Sequence, residues 1–277
     1  VAVTHVETPE TPVAPQAGPP APGRRGPALP VRLLPYLLIA PTVLGTAYLL
    51  VYPLIRNLVI SFQKFGIAQL IRGGADFVGF DNYRQILSDG VFWSVVLRTF
   101  VFTAINVTLI MVLATLVALL IGALGKKMRL AVMGGLVVAW AIPVIAATTV
   151  FQWLFQSQLG VVNWVLVALG FEQFDGYAWF ANGTSTFAII VVLIVWQSVP
   201  FAALTLYAAM TTVPKELHES AQIDGAGGVK TFTLITFPIL RPMFGLIFCL
   251  EVIWVFKCFV QIWAISQGGP GNATLTL

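Results

Sequence analysis

The chain has 277 residues, of which 58% are hydrophobic and only 9% charged, and its mean hydropathy is +0.90. A soluble domain carries about a quarter charged residues, so this composition excludes an ordinary water-soluble globule and makes the lipid bilayer the expected solvent. The net charge of +4 comes with no basic stripe of interleaved aromatics, which argues against a nucleic-acid partner.

In chain order, residues 1–30 are rich in proline and alanine, with acids early and Arg24 and Arg25 late. Such a stretch cannot bury enough apolar surface to offset its ordering entropy, so it reads as a disordered tail ahead of a membrane domain over 31–277. It lacks the charged start, apolar middle and small-residue cleavage site of a signal peptide. Five apolar spans follow, over 34–62, 94–124, 130–156, 184–210 and 242–265. Each exceeds the roughly 20 residues a helix needs to cross the hydrocarbon core, which predicts an all-α integral membrane helix bundle. Pro41, Pro53, Pro143 and Pro200 lie inside spans, where neighbouring helices can satisfy the freed carbonyls.

Basic residues set the expected topology. Arg24, Arg25 and Arg32 precede span one, Lys126, Lys127 and Arg129 separate spans two and three, and Lys215, Lys230 and Arg241 separate spans four and five. With alternating spans all three groups fall on one side, so the N-terminus and the 211–241 loop are expected in the cytoplasm of a multi-pass plasma-membrane protein. The opposite side receives loop 63–93 and loop 157–183, the latter with Glu172 and Asp175 and no Lys or Arg. Gly79, Asn82 and Tyr83 stand in the first, where a turn with an interfacial aromatic is an equally good local reading. Gly160 and Asn163 form a turn in the second. Cys249 and Cys258 share one apolar run and match no metal motif, so they read as reduced packing residues.

The 211–241 loop is polar and patterned. Pro214 ends the preceding span, Lys215–Ile223 has the length of about two helical turns, and Gly225 is placed to stop that helix. Leu217, Ala221 and Ile223 would give the short helix an apolar face. Gly225–Thr231 looks superficially like a phosphate loop, but Val229 precedes Lys230, so the Gly-Lys-Ser/Thr step is absent. No other Walker A sequence occurs, so ATP hydrolysis by this chain is not expected.

The fifth span carries charges, which are costly in lipid and usually face a bundle interior. At about 100° per residue, Glu251, Trp254, Lys257, Cys258 and Gln261 fall within an arc of about 120°. That arc is expected to line a pathway or to meet another subunit. Span four holds Trp196-Gln197-Ser198-Val199-Pro200-Phe201, in which a ring beside an amide suits a sugar, although Trp and Pro can equally pack a kinked helix. Trp140 and Pro143 carry the same ambiguity. His218 reads as a surface residue.

Glu219, Ala221, Gly225, Ile235 and Pro238 fall at the spacing E-x-A-x-x-x-G-x(9)-I-x-x-P, which resembles the EAA loop of importer-type ABC permeases. Ser220 stands where that family usually has Ala, and Phe237 where it usually has Leu. The Gly79-x-x-Asn82-Tyr83 stretch, the Trp196–Phe201 segment and the terminal Gly268-Gly269-Pro270-Gly271 resemble segments of the carbohydrate branch. The resemblance implies a permease fold, with ATPase coupling through Glu219, Ser220, Ala221, Asp224, Gly225, Ile235 and Pro238. It also implies a substrate pathway for which Trp196, Gln197, Glu251, Trp254, Lys257 and Gln261 are the candidates. The implied partners are a second homologous permease, an ABC ATPase dimer holding ATP and Mg, an extracytoplasmic solute-binding protein and a di- or oligosaccharide. This chain itself is expected to hold no cofactor, metal or catalytic residue. Permeases of this kind continue into one more helix after the Gly-Gly-Pro-Gly segment, so the last span is expected to be missing from this chain, as a fragment or a truncation. Two alternatives remain open: an importer for glycerol phosphate or another small polar solute, which would call for cavity cations, and a membrane enzyme, which would call for clustered His or acids.

Overall fold

The computed structural model describes residues 34–277; the expected disordered tail, 1–30, lies outside the described residues. Two compact units divide after Arg84.

In the first unit, helices α1 (Leu34–Thr46) and α2 (Tyr52–Ser61) join through a π turn at Ala47–Val51 into one apolar span, Pro35–Ser61. The π turn has a cause in the sequence. A proline ring clashes with the carbonyl four residues earlier and has no N–H to give it. For Pro53 that carbonyl belongs to Leu49, inside the widened turn, where the Tyr52 N–H reaches back five residues to the Ala47 carbonyl. The span is apolar on all sides, as a helix surrounded by lipid or by other helices is.

Two-residue strands β1 (Gln63–Lys64) and β2 (Asp76–Phe77) then pair antiparallel, Gln63 opposite Phe77, around helix α3 (Ile67–Arg72). Helix α4 (Asp81–Ser88) follows and crosses the division. Asn82 Nδ2 donates to the carbonyls of Ser61 and Gln63, each at 2.9 Å, and the Tyr83 and Ser61 hydroxyls lie 2.6 Å apart. The Asn-Tyr pair therefore ties off the open end of α2, whose last carbonyls lack partners within the helix.

The second unit is built on α5 (Gly90–Ala123), which packs along α9 (Gly183–Met210). Thr99, Phe102, Asn106, Ile110, Ala114, Ala118 and Ile121 form the buried stripe of α5. Ala114 and Ala118 are fully buried, as are Ala202 and Ala203 of α9; small residues let helix backbones approach closely where lipid offers no hydrophobic drive between them. Between these two lie α6 (Lys126–Trp140), α7 (Val144–Leu154) and α8 (Val161–Ala168). Arg129 of α6 donates to the carbonyls of Ile121, Gly122 and Leu124, closing the end of α5, and its guanidinium sits over the Tyr207 ring at 5.7 Å.

The expected single third span, 130–156, is corrected here. The chain bends by 96° between α6 and α7, so this stretch is a broken span or a re-entrant pair. Pro143 adopts an extended conformation (φ −58°, ψ 138°) as the residue before α7, and a proline there cannot continue α6.

After α9 come α10 (Lys215–Ile223), the single-turn α11 (Gly228–Thr231), a π turn at Phe232–Thr236, α12 (Phe237–Phe256) and α13 (Val260–Ser266). The π turn again precedes a proline: Pro238 would press on the Leu234 carbonyl, and the Phe237 N–H reaches back to Phe232. Helix therefore begins at Gly228, well before the expected start of the fifth span at 242. Helix α12 packs on α5 and α9, while α13 packs on α7.

Candidate functional site

Two separate arrangements carry the candidate residues. The first is the short helix α10. Pro214 precedes it, and Gly225, at φ +73°, ends it as the sequence suggests. The Gly225 N–H donates to the Gln222 carbonyl at 3.0 Å and the Ala226 N–H to the Ala221 carbonyl at 2.9 Å, the paired bonds of a Schellman cap. Glu219, Ser220 and Asp224 are exposed, and Ile223 is 86% exposed. The expected apolar face on α10 divides: Ala221 is buried in the chain, while Leu217 and Ile223 point away from it. The Ser220 hydroxyl donates to the Glu216 carbonyl at 2.7 Å, so it is engaged by its own helix. Ile235 lies half-buried in the π turn, and Pro238 is exposed in the first turn of α12. These residues thus form one continuous stretch around a presented helix.

The second arrangement is a cavity of about 200 Å³ lined by Trp140, Val144, Ile194, Gln197, Ser198, Trp254, Val255, Cys258 and Gln261. The bend after Trp140 brings the end of α6 and the start of α7 to its wall. Phe201 packs between the two indoles, with ring centroids 5.9 Å from Trp140 and 5.1 Å from Trp254. Gln261 Nε2 donates to Gln197 Oε1 at 3.1 Å, and the Cys258 thiol donates to Gln261 Oε1 at 3.0 Å. A rigid aromatic wall facing a set of amides is the chemistry that accommodates a polar, ring-shaped solute: rings cover its apolar faces and amides replace water at its edges. The volume lies below the roughly 300–1,000 Å³ of typical ligand pockets, so in this conformation it accommodates part of such a ligand.

The sequence candidates distribute unevenly. Gln197, Trp254 and Gln261 line the cavity together. Trp196 does not: its ring packs on Phe151 and faces a different, apolar cavity of about 480 Å³ with Leu109, Leu113 and Pro200. Successive residues on a helix point about 100° apart, so Trp196 and Gln197 serve different faces. Lys257 is exposed at the end of α12 and lines neither cavity. The arc drawn through Glu251, Trp254, Lys257 and Gln261 also assumes one unbroken helix, whereas helix stops at Phe256 and resumes at Val260. The buried face runs instead through Glu251, Val255, Cys258, Ile262 and Ile265. Glu251 lines neither cavity; it is fully buried, about one turn before the cavity-lining Trp254 and Val255, and neither carboxyl oxygen has a hydrogen-bond partner. Ser198 was not singled out from sequence, because one hydroxyl in an apolar run carries no signal of its own.

A broken, largely apolar helix bundle that presents a short polar helix and holds a cavity lined by amides agrees with a membrane transport component. The family described as "Binding-protein-dependent transport system inner membrane component" matches residues 114–276, and the chain belongs to it. It is 50% identical over 242 residues to the diacetylchitobiose uptake system permease protein DasB of Streptomyces coelicolor, covering 87% of this chain and 74% of that one. It is 35% identical to the sulfoquinovosyl glycerol transport system permease protein SmoG of Agrobacterium fabrum, over 89% of this chain and 78% of that one. The fold is similar to a chain of a bacterial ABC transporter involved in the import of the acidic polysaccharide alginate, with a TM-score of 0.74 at 21% identity over 87% of this chain and 79% of that one.

Proposed function

We propose that this chain is the membrane-spanning permease subunit of an ABC importer that moves a di- or oligosaccharide into the cell. The observation that carries the reading is the likeness to sugar-uptake permeases along most of the chain, at 50% and 35% identity to the two relatives above. The cavity agrees with it, since amides and indoles suit a neutral hydroxylated ring. A glycerol phosphate substrate would call for a cation in the cavity, and the residues that line it include none.

In this reading α6 and α7 together cross the membrane as one broken span, so that the N-terminus and α10 both lie on the cytoplasmic side of the plasma membrane, as the basic loops suggest. Helix α10, with Glu219, Ser220, Asp224 and Gly225 exposed around it, docks on an ABC ATPase that holds ATP and Mg. Ile235 and Pro238 carry the docked helix into α12. A second, homologous permease covers the apolar faces left open here, and an extracytoplasmic solute-binding protein delivers the sugar. Closure of the ATPases then displaces α10 and switches the cavity between the two sides. Gln197, Trp254 and Gln261 meet the sugar on its way.

Co-purification in mild detergent tests the assembly. Recovery of an ATPase and a homologous permease, with sugar-dependent stimulation of ATPase activity once a binding protein is added, is the expected result. An ATPase that responds to phosphate esters and not to oligosaccharides would overturn the sugar assignment.

A further inference from the structure

We propose that a cavity between the N-terminal ends of α5 and α9 binds an anionic phospholipid, with Arg98 holding the phosphate and Leu97, Val101 and Phe187 receiving an acyl chain. This cavity, of about 670 Å³, is separate from the two described above. Its residues are sorted by depth. Asn182 and Thr184 open α9 and Arg98 stands on α5, while Val101 and Phe187 lie about one turn further along the same two helices. The helices are held together at this level, where the Phe102 and Phe187 rings meet edge to face with centroids 5.0 Å apart.

The depth suits a headgroup. Arg98 stands 25 residues before Ala123, and Thr184 stands 26 residues before Met210. Each therefore lies roughly 38 Å along its helix from the far end, against a hydrocarbon core of about 30 Å. Lys126, Lys127 and Lys215 follow the two helices and mark the opposite membrane surface. Arg98 and Thr184 thus reach just past the core, into the headgroup layer, and the exposed Trp93 belongs to the same layer. In the proposed topology this is the outer leaflet.

The charge points the same way. Arg98 is the one charged residue of α5, and a charge this close to lipid calls for a partner. No Asp or Glu lines the cavity, and among the described residues the guanidinium meets no carboxylate. Arg98 Nη1 donates to the carbonyls of Asn272 and Leu275, at 2.7 and 3.1 Å, which fixes the plane of the fork. Its Nε and Nη2 have no protein partner among the described residues, and neither do Asn182 Nδ2 and the Thr184 hydroxyl. Asn182 Oδ1 is occupied by the Thr184 N–H at 2.8 Å, so the amide has only its donor side to offer. A mouth that offers donors and no acid suits a phosphate, whose paired oxygens match the guanidinium fork. A zwitterionic lipid would bring an ammonium group for which the cavity holds no carboxylate, whereas a lipid with one net negative charge meets one cation. A free phosphate would use the mouth alone and leave the apolar end, with Leu97 67% exposed, uncovered.

The test is native mass spectrometry of the protein, purified with its co-purifying subunits, stripped of lipid by detergent exchange and titrated with dioleoylphosphatidylglycerol or dioleoylphosphatidylcholine. The wild type is expected to retain one phosphatidylglycerol at about tenfold lower lipid concentration than phosphatidylcholine, the worth of a hydrogen-bonded contact between charged groups. Arg98→Ala should abolish that preference. Because Arg98 also holds the Asn272 and Leu275 carbonyls, Thr184→Glu is the second variant. Position 184 is exposed in the first turn of α9, where an acid favours the helix, and the new carboxylate supplies Arg98 with an anion of the protein's own. It too should abolish the preference. Val101→Trp, which fills the apolar end, should weaken both lipids. A large molar excess of inorganic phosphate should leave phosphatidylglycerol bound; displacement would mean a site for soluble anions and overturn the lipid assignment. No preference in the wild type, or an unchanged preference in Thr184→Glu, overturns the inference as well. Sugar uptake by the same variants is a separate measurement, so the importer reading stands or falls independently.

Discussion

Gln261 Nε2 donates to Gln197 Oε1 across 3.1 Å, joining α13 to α9 at the cavity wall. The two side chains come from stretches 64 positions apart, and each holds the other's amide in a fixed orientation. Because they act as a pair, Gln197→Ala and Gln261→Ala should each weaken sugar transport by roughly fivefold, about 1 kcal/mol, and the double change should cost little more than either alone. Val252→Ala serves as the comparison and should leave transport near wild type. Full additivity in a double-mutant cycle on uptake would mean that the two amides work independently.

Gly225 holds φ +73°, a conformation that side chains other than glycine rarely adopt. Gly225→Pro should break the Schellman cap, and Glu219→Lys should reverse a charge on the exposed face of α10. Both variants are expected to insert in the membrane at normal levels while losing sugar-stimulated ATPase activity in reconstituted complexes. Near-normal stimulation in both would remove α10 from the coupling path.

Sidedness is open to direct labelling. Cys249 is exposed and must first be replaced by serine. In that background, cysteine at Ser157 should react with a membrane-impermeant thiol reagent in intact cells, and cysteine at Lys126 or Gly227 should not. The opposite pattern would invert the topology.

Asn163 is buried, and its Nδ2 donates at 3.0 Å to the carbonyls of both Ser157 and Tyr177, while its Oδ1 accepts from the Trp179 indole. Asn163→Ala strands three partners at once, so a loss of about 2–4 kcal/mol in the stability of the 157–183 loop is expected, read as faster proteolysis of intact vesicles at that loop. A β-carbon at Gly160 would stand 2.1 Å from the Gln156 carbonyl oxygen, so Gly160→Ala should loosen the same loop. Protection equal to wild type in both variants would mean that the asparagine hub is dispensable.

Much of the bundle was legible from hydropathy. The cores of α5, α9 and α12 are apolar runs far longer than a barrel strand, and a helix is the structure that satisfies such a long backbone in lipid. The Gly225 stop was legible too, because a left-handed cap needs a specific residue type. The break between α6 and α7 was not, since Pro143 sits in a run that is apolar on both sides and prolines are tolerated in other spans. The cavity was half legible. Gln197, Trp254 and Gln261 stood out as polar or aromatic groups in apolar surroundings, but the phase linking α12 to α13 is lost at Lys257–Phe259, where helix gives way. Lys257 was therefore carried onto a face it does not share, and Trp196 was coupled to Gln197 although their side chains diverge.

The π turn at Phe232–Thr236 also sets a rotational phase. A turn that closes over five residues takes in one more residue than an α turn, so everything on its N-terminal side is rotated by about 100° relative to an uninterrupted helix. Helix α11 and the connection to α10 lie on that side, and the cavity-lining Trp254 and Val255 lie on the other. Deleting one residue within 232–236 would leave composition and hydropathy almost untouched. It would nonetheless press Pro238 against a carbonyl and turn α11 to a different azimuth. In this segment the number of residues is as much a part of the design as their identity, and substitutions should be tolerated where insertions and deletions are not.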